Sequence, residues 1–212
     1  MRKISWVVLI IVLGAGCARN VSVQYEFPAA AIRALPISVG VYYPPSLQTY
    51  EYQEALKEDP NWQVRLGEAN VRMFDRVFSD LFSEIEHVNS TEASDVDAVI
   101  KAEVDRFEIA VPEDTQLEFF EAWIQYRLTL FRPNGSEIGT WTVSGYGRDE
   151  AASHPFGHNE RVSDATFRAM RDAAAALIIG FRDEPAINEW LGVNVVASET
   201  ADVRGGGSES VN

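Results

Sequence analysis

Residues 119–147 read FFEAWIQYRLTLFRPNGSEIGTWTVSGYG. Phe120, Ala122, Ile124, Tyr126, Leu128 and Leu130 alternate with Glu121, Gln125, Arg127 and Thr129, the period of a strand with one buried and one wetted face. Pro133-Asn134-Gly135 supplies a turn, and Glu137 to Gly147 returns as the antiparallel partner. A hairpin this long needs a further layer to cover its apolar side, so the rest of the chain is read for strands that extend the sheet and helices that pack on it.

Upstream, Ala98, Ile100, Ala102 and Val104 hold even positions, whereas Phe107, Ile109 and Val111 hold odd ones. One extra residue restores the inward direction of the apolar set, so a β-bulge is predicted near Asp105-Arg106. Ile37 to Tyr43 is a β-branched and aromatic run stopped by Pro44-Pro45, and is read as the first core strand. A short edge strand is expected around Val21 to Tyr25. Tyr50 to Tyr52 and Trp62 to Leu66 form a hairpin-like pair around the turn-prone Lys57 to Asn61.

Two amphipathic helices emerge. Phe74, Val77, Phe78, Leu81, Phe82, Ile85 and Val88 recur at the three-and-four spacing of one helical face, which predicts a helix over Gly67 to His87. His87 would then place an imidazole at the carbonyl end of that helix. After a loop over Ala151 to Glu160, Ser163 is positioned to cap a second helix over Asp164 to Phe181, with Phe167, Met170, Ala174, Leu177, Ile178 and Phe181 as its packing stripe. The expected fold class is α+β, an antiparallel or mixed sheet with two helices packed on one face.

A hydrophobic fraction of 46% and a charged fraction of 24% over 212 residues suit one folded domain with a sizeable core. Its expected bounds are residues 37–192, after a signal peptide over 1–16 and a lipid anchor and tether over 17–36, and before a disordered tail over 193–212 that holds Gly205-Gly206-Gly207. The formal net charge is −14. Such a surface repels polyanions, so no nucleic acid is expected as a partner.

The amino terminus carries the secretory order of basic, apolar and small regions: Met1-Arg2-Lys3, the run from Ile4 to Leu13, then Gly14-Ala15-Gly16 before Cys17. The apolar run is too short for a spanning helix, which needs about 20 residues. Leu13-Gly14-Ala15-Gly16-Cys17 resembles the bacterial lipobox, although Gly14 stands where a large aliphatic residue is usual. The resemblance implies that Cys17 is acylated and becomes the first mature residue. Ala18 replaces the aspartate that the family rule associates with inner-membrane retention, which implies the outer membrane, on its periplasmic face. Cys17 is the single cysteine, so neither an intrachain disulfide nor a thiolate metal cluster can form.

Gly67-Glu68-Ala69 opening a helix that ends in Phe82 to Val88, and Tyr126-Arg127-Leu128-Thr129-Leu130 leading through Gly135 to Ile138 and Trp141, give the chain an element order over Ile37 to Phe181. On a lipid anchor, that order resembles the small envelope lipoproteins of export machines. These are the lipopolysaccharide-assembly lipoprotein, the auxiliary lipoproteins of lipid-transporting ABC systems, and the N-terminal domain of the Tol-system propeller protein. The resemblance implies an accessory or adaptor subunit of an envelope protein complex. Its motifs are patterns of strand and helix, and they carry no functional residue over.

Searches for chemistry return little. His154 and His158 have a metal-like spacing of four, but Pro155 and Gly157 break the helix that would align them, and no third ligand follows, so no metal is expected. Gly145-Tyr146-Gly147 lacks the third glycine and following helix of a dinucleotide loop, and no cofactor is expected. No serine sits in a nucleophile elbow. Asp95, Asp97, Glu103, Asp105 and Glu108 cluster on or beside one strand, where outward alternation accounts for most of them. The chain is therefore read as noncatalytic, with two alternatives kept: a lipid carrier, or a cell-wall hydrolase using paired carboxylates. Tyr42, Tyr43, Tyr50, Tyr52 and Trp62 gather around the proline break. They are the candidates for partner binding, since tyrosine and tryptophan anchor interfaces, with coverage of the open end of the sheet as the competing reading.

Overall fold

The computed structural model describes residues 19–53, 62–112, 118–150 and 157–192. The signal segment, Cys17, the turn at Lys57 to Asn61, His154 and the tail from 193 onward lie outside the described residues. In order, the elements are β1 (Arg19–Ser22), β2 (Leu35–Tyr42), α1 (Pro45–Gln48), β3 (Glu51–Gln53), β4 (Trp62–Arg65), α2 (Gly67–Leu81), β5 (Phe82–His87), β6 (Ala98–Ala110), β7 (Phe119–Phe131), β8 (Glu137–Glu150), α3 (His158–Gly180), a 3-10 turn (Phe181–Asp183) and α4 (residues 185–192).

The quoted hairpin frames the larger sheet. β7 and β8 pair antiparallel from Phe119 opposite Glu150 to Phe131 opposite Glu137. Gly135 closes the turn at φ 79°, a left-handed conformation that glycine adopts without a Cβ penalty. β6 joins β7 antiparallel, and its register slips between Val104 and Arg106, so Asp105 is the extra residue of the bulge expected there. β2 and β5 complete the sheet in parallel, giving the order β5-β2-β6-β7-β8. α2 is the crossover between those parallel strands. A second sheet, β1-β4-β3, is built from the chain's beginning and the predicted hairpin-like excursion.

Both long helices cover the same face of the larger sheet. Tyr126 on β7 meets Phe74 of α2 at a ring-centroid distance of 5.0 Å and donates its hydroxyl proton to Asn70 of α2 at 2.7 Å. Ile124 and Ala122, two and four residues away on that face, stand opposite Gly145 and Gly147 of β8, and α3 lies directly on those two glycines. The fold is α+β, with a mixed sheet and two helices on one face. On α2 the buried set Asn70, Met73, Phe74, Val77, Phe78 and Leu81 follows the three-and-four period, so the helix forms where its apolar stripe can be covered. The wetted face of the sheet carries ion pairs instead, Lys101 with Glu103, Arg106 with Glu108 and Arg127 with Asp105.

Three expectations need correction. The first helix does not run to His87: it ends at Leu81, and Phe82 turns to extended backbone at φ −120°, ψ 150°. The following residues form β5 because β2 offers unpaired backbone beside them, and Ser83 also donates its hydroxyl proton to the Ile37 carbonyl at 3.0 Å. His87 accordingly ends a strand, with Nε2 3.2 Å from Asp75 Oδ1 and its ring edge-on to Tyr43. The second helix begins at His158, and Ser163 lies inside it with its hydroxyl 3.4 Å from the Ser22 carbonyl. Of its expected packing stripe Met170, Ala174, Leu177 and Phe181 are buried, but Ala165, Ala169 and Ala173 join them and Phe167 lies at the rim against Tyr25.

Candidate functional site

The five aromatic residues proposed for partner contact divide by burial. Trp62, 2% exposed, seats β4 and lies under the Arg19 guanidinium at 5.1 Å. Tyr43 is buried, donating its hydroxyl proton to Asp75 at 2.8 Å beside Phe74 and His87. Tyr42, Tyr50 and Tyr52 are half-buried, Tyr52 standing edge-on to Phe107. Tyr43 and Trp62 thus sit inside the hydrophobic core, and Tyr50 and Tyr52 pack against that same core from its rim.

The burial of Tyr43 and Tyr126 shifts their acidity. Burial, then the Asp75 charge and hydrogen bond, push the Tyr43 hydroxyl far above its ordinary value, and burial does the same to Tyr126. An unfolded tyrosine ionises near pH 10. A folded-state value above the unfolded one means that the stabilisation is complete below about pH 10 and is lost as pH rises further. Urea titrations across pH 8 to 11.5 are expected to show stability level below about pH 10, then falling by about 1.4 kcal/mol per pH unit for each of these tyrosines. Tyr43→Phe should lessen that slope; an unchanged slope would show that Tyr43 ionises freely in the folded protein.

The point where the chain enters the domain joins Trp62 and His158, read in the sequence for other roles, to Arg19, Arg148 and Arg161, which the sequence reading passed over. Arg19 pairs with Trp62 as β1 joins β4, and its Nη1 donates to His158 Nδ1 at 3.3 Å. His158 lies edge-on to Phe120, which also carries the Arg161 guanidinium at 5.1 Å, and Arg148 covers Phe119 at 4.9 Å. One end of the molecule thus gathers Arg19, Arg148, Arg161 and His158 over aromatic rings, in a chain whose net charge is −14. Alternation of Val21, Val23 and Tyr25 with Asn20, Ser22 and Gln24 was the available signal for β1. The arginine and ring pairings come from different elements and leave no local trace.

Beside β8, a groove of about 620 Å³ is lined by Pro28, Tyr146, Arg148, Arg168, Arg171 and Asp172. Its polar groups guard the edge of the sheet. Asp172 accepts the Tyr146 backbone N–H at 3.0 Å, and Arg168 donates to the Arg148 carbonyl at 2.6 Å while pairing with the buried Asp149 at 2.9 Å. An edge whose backbone groups are taken by helix side chains is a poor template for another strand. A second groove, of about 320 Å³, contains Glu51 and Glu68. Hydrogen bonds from Gln53 and Gln63, with Arg65 nearby, hold the Glu51 carboxyl below the usual range, the reverse of what a general acid requires. Among the described residues, no cluster of three or more metal-ligating side chains occurs.

No family model matches the chain, and no curated protein matches it in sequence. Its fold is similar to that of a Xanthomonas campestris protein of the DUF330 family, with a TM-score of 0.51 at 8% identity over 76% of this chain and 92% of that one. A minor lipoprotein from Acinetobacter baumannii gives a TM-score of 0.41 at 10% identity over 70% of this chain and 92% of that one. A lipoprotein from Neisseria meningitidis gives 0.30 at 13% identity over 62% and 96%. Among the described residues, no helix is long and apolar enough to cross a membrane.

Proposed function

We propose that this chain is a noncatalytic periplasmic lipoprotein, held to the outer membrane by acylated Cys17, whose domain serves as an accessory or adaptor subunit of an envelope transport or assembly system. The observation that carries the reading is the join between the two parts of the sequence. A lipobox-like segment ends at Cys17, and Arg19, two residues on, is already in a strand paired into the domain. An exported cysteine at that place has no partner thiol in the chain, and acylation accounts for it.

Adaptor is favoured over carrier because the space between helices and sheet is filled. Phe74, Phe78, Met73, Ile124 and Tyr126 are 0% exposed there, and α3 rests on Gly145 and Gly147 backbone. It is favoured over hydrolase because the Glu51 carboxyl in its groove is shifted toward the ionised form. The wetted sheet face and the Gly135 end remain available to a protein partner.

Labelling cells with a radioactive fatty acid is expected to mark the wild-type chain and leave Cys17→Ser unmarked, with the variant moving from the detergent phase to the aqueous phase. Crosslinking in intact cells should then recover one envelope complex with the wild type alone. An unchanged processed mass and unchanged phase partition in Cys17→Ser would overturn the anchor, and recovery of the lipidated chain by itself would overturn the adaptor role.

A further inference from the structure

Two peptide units join Cys17 to Arg19, so the α-carbons of these residues can be at most about 7 Å apart even when fully extended. Arg19 is not the start of a loose leader. It is the first residue of β1, in register with Trp62, and β1 continues to Ser22 opposite Arg65. Val21 and Val23 are each 3% exposed. Three other elements hold this segment: Asn159 of α3 reaches the Asn20 carbonyl at 3.4 Å, Arg72 of α2 donates to the Val23 carbonyl at 2.9 Å, and Arg65 of β4 donates to the Asn20 side-chain Oδ1 at 2.9 Å. A force applied at Cys17 is passed to the whole domain within two residues.

We infer that the domain stands on the lipid surface by the end that carries Arg19, rather than swinging on a tether. This rests on the acylation of Cys17 proposed above. The Arg19 end carries Arg19, Arg148 and His158 on its surface, with half-buried Phe119 beneath Arg148 and the buried rings of Trp62 and Phe120 behind Arg19 and His158. Arginines laid along rings suit the headgroup layer, where the apolar stem stays against protein and the guanidinium meets phosphate and water. β7 runs away from this end, and its 13 residues cover roughly 43 Å at strand rise. The turn at Asn134 and Gly135 therefore lies far from the bilayer.

Charge makes the shortness of the join matter. The chain carries −14 overall and is repelled by anionic lipid, so a domain on a long leader would be held off the surface. With two peptide units there is no leader to extend. The lipid keeps the Arg19 end in the headgroup layer against that repulsion, and the far end and the flanks remain for protein partners.

Full-length lipidated chain on phosphatidylethanolamine and phosphatidylglycerol vesicles tests this. A fluorophore is placed at Glu118→Cys beside Phe119, or at Asn134→Cys on the far turn, Cys17 being blocked by its acyl groups. Quenching by headgroup spin-labelled lipid should be several-fold stronger at 118 than at 134. A flexible Gly-Ser insert of ~15 residues between Ala18 and Arg19, with a reach of roughly 20 Å, should abolish the difference. Equal quenching at the two positions without the insert, in protein that floats with the vesicles, would overturn the orientation and leave the anchor intact. Failure to float would overturn the anchor, and the orientation with it.

Discussion

Gly145→Val is expected to lower stability by about 3 kcal/mol or more, because overpacking a filled interior forces backbone to move. A Cβ at Gly145 would lie 2.0 Å from the Ala169 carbonyl oxygen and 2.4 Å from the Ala173 nitrogen, both main-chain atoms of α3. No rotamer change can relieve such a contact, so the helix must lift from the sheet. As it lifts, Asp172 withdraws from the Tyr146 N–H and Arg168 from the Arg148 carbonyl, which uncovers the β8 edge. At about 2–4 °C per kcal/mol for a chain of this size, the melting temperature should fall by roughly 6–12 °C. Concentration-dependent aggregation should accompany the fall. Gly180→Ala is the control: nothing lies within 4 Å of its Cβ position and the residue is helical, so a gain of about 0.5–1 kcal/mol is expected. A Gly145→Val protein that melts with the wild type would show that α3 does not rest on β8 as described.

The contrast between those two glycines shows where sequence reading reaches its limit. The β7–β8 hairpin and the Asp105 bulge were legible because a strand side chain's direction is set by parity alone, and a change of parity must be absorbed somewhere. Gly145 and Gly147 offered no such signal. A glycine pair in a strand marks close approach of something, and the element that approaches is fixed by tertiary packing. The alanine stripe of α3 had the same defect: Phe167 and Ile178 outweighed Ala165, Ala169 and Ala173 as apolar residues, yet close contact with bare strand backbone needs the small ones.

The error at Phe82 has a different source. Phe82, Ile85 and Val88 continue the helical spacing of α2, and because Phe82 and Ile85 are three apart they fall on opposite faces of β5, so the local pattern favoured a helix. The choice fell to β2, whose free edge supplies backbone partners from Ser38 to Val41. For the site, the arginine and histidine contacts with Trp62, Phe119 and Phe120 join residues as far apart in sequence as Arg19 and His158, and no local window contains them. The lipobox-like segment ending at Cys17 is linear sequence and is read without reference to the fold. Its close coupling to the fold was hidden by Pro28 and Pro36, which made the following residues read as a tether.

Phe74→Ala is expected to cost about 3–5 kcal/mol, the range for removing a fully buried aromatic ring. Phe74 is 0% exposed, stacked on Phe78 at 5.5 Å, edge-on to Tyr126 at 5.0 Å and beside Tyr43 at 6.3 Å. Its ring therefore joins α2 to the middle of β7 and to the residue that follows β2. The loss should exceed the apolar transfer of the missing atoms for two reasons. α2 is held in place by β5 on one side and by the Asn70 to Tyr126 hydrogen bond on the other, so it cannot collapse into the cavity. Tyr126 also loses the ring that fixes its hydroxyl toward Asn70, whose Nδ2 is already without a partner, so a loosened bond exposes a second buried polar group to desolvation. Phe74→Leu keeps most of the volume and should cost markedly less. Urea denaturation followed by tryptophan fluorescence would give both values, and a loss below about 1 kcal/mol for Phe74→Ala would mean that this junction does not hold the two layers together.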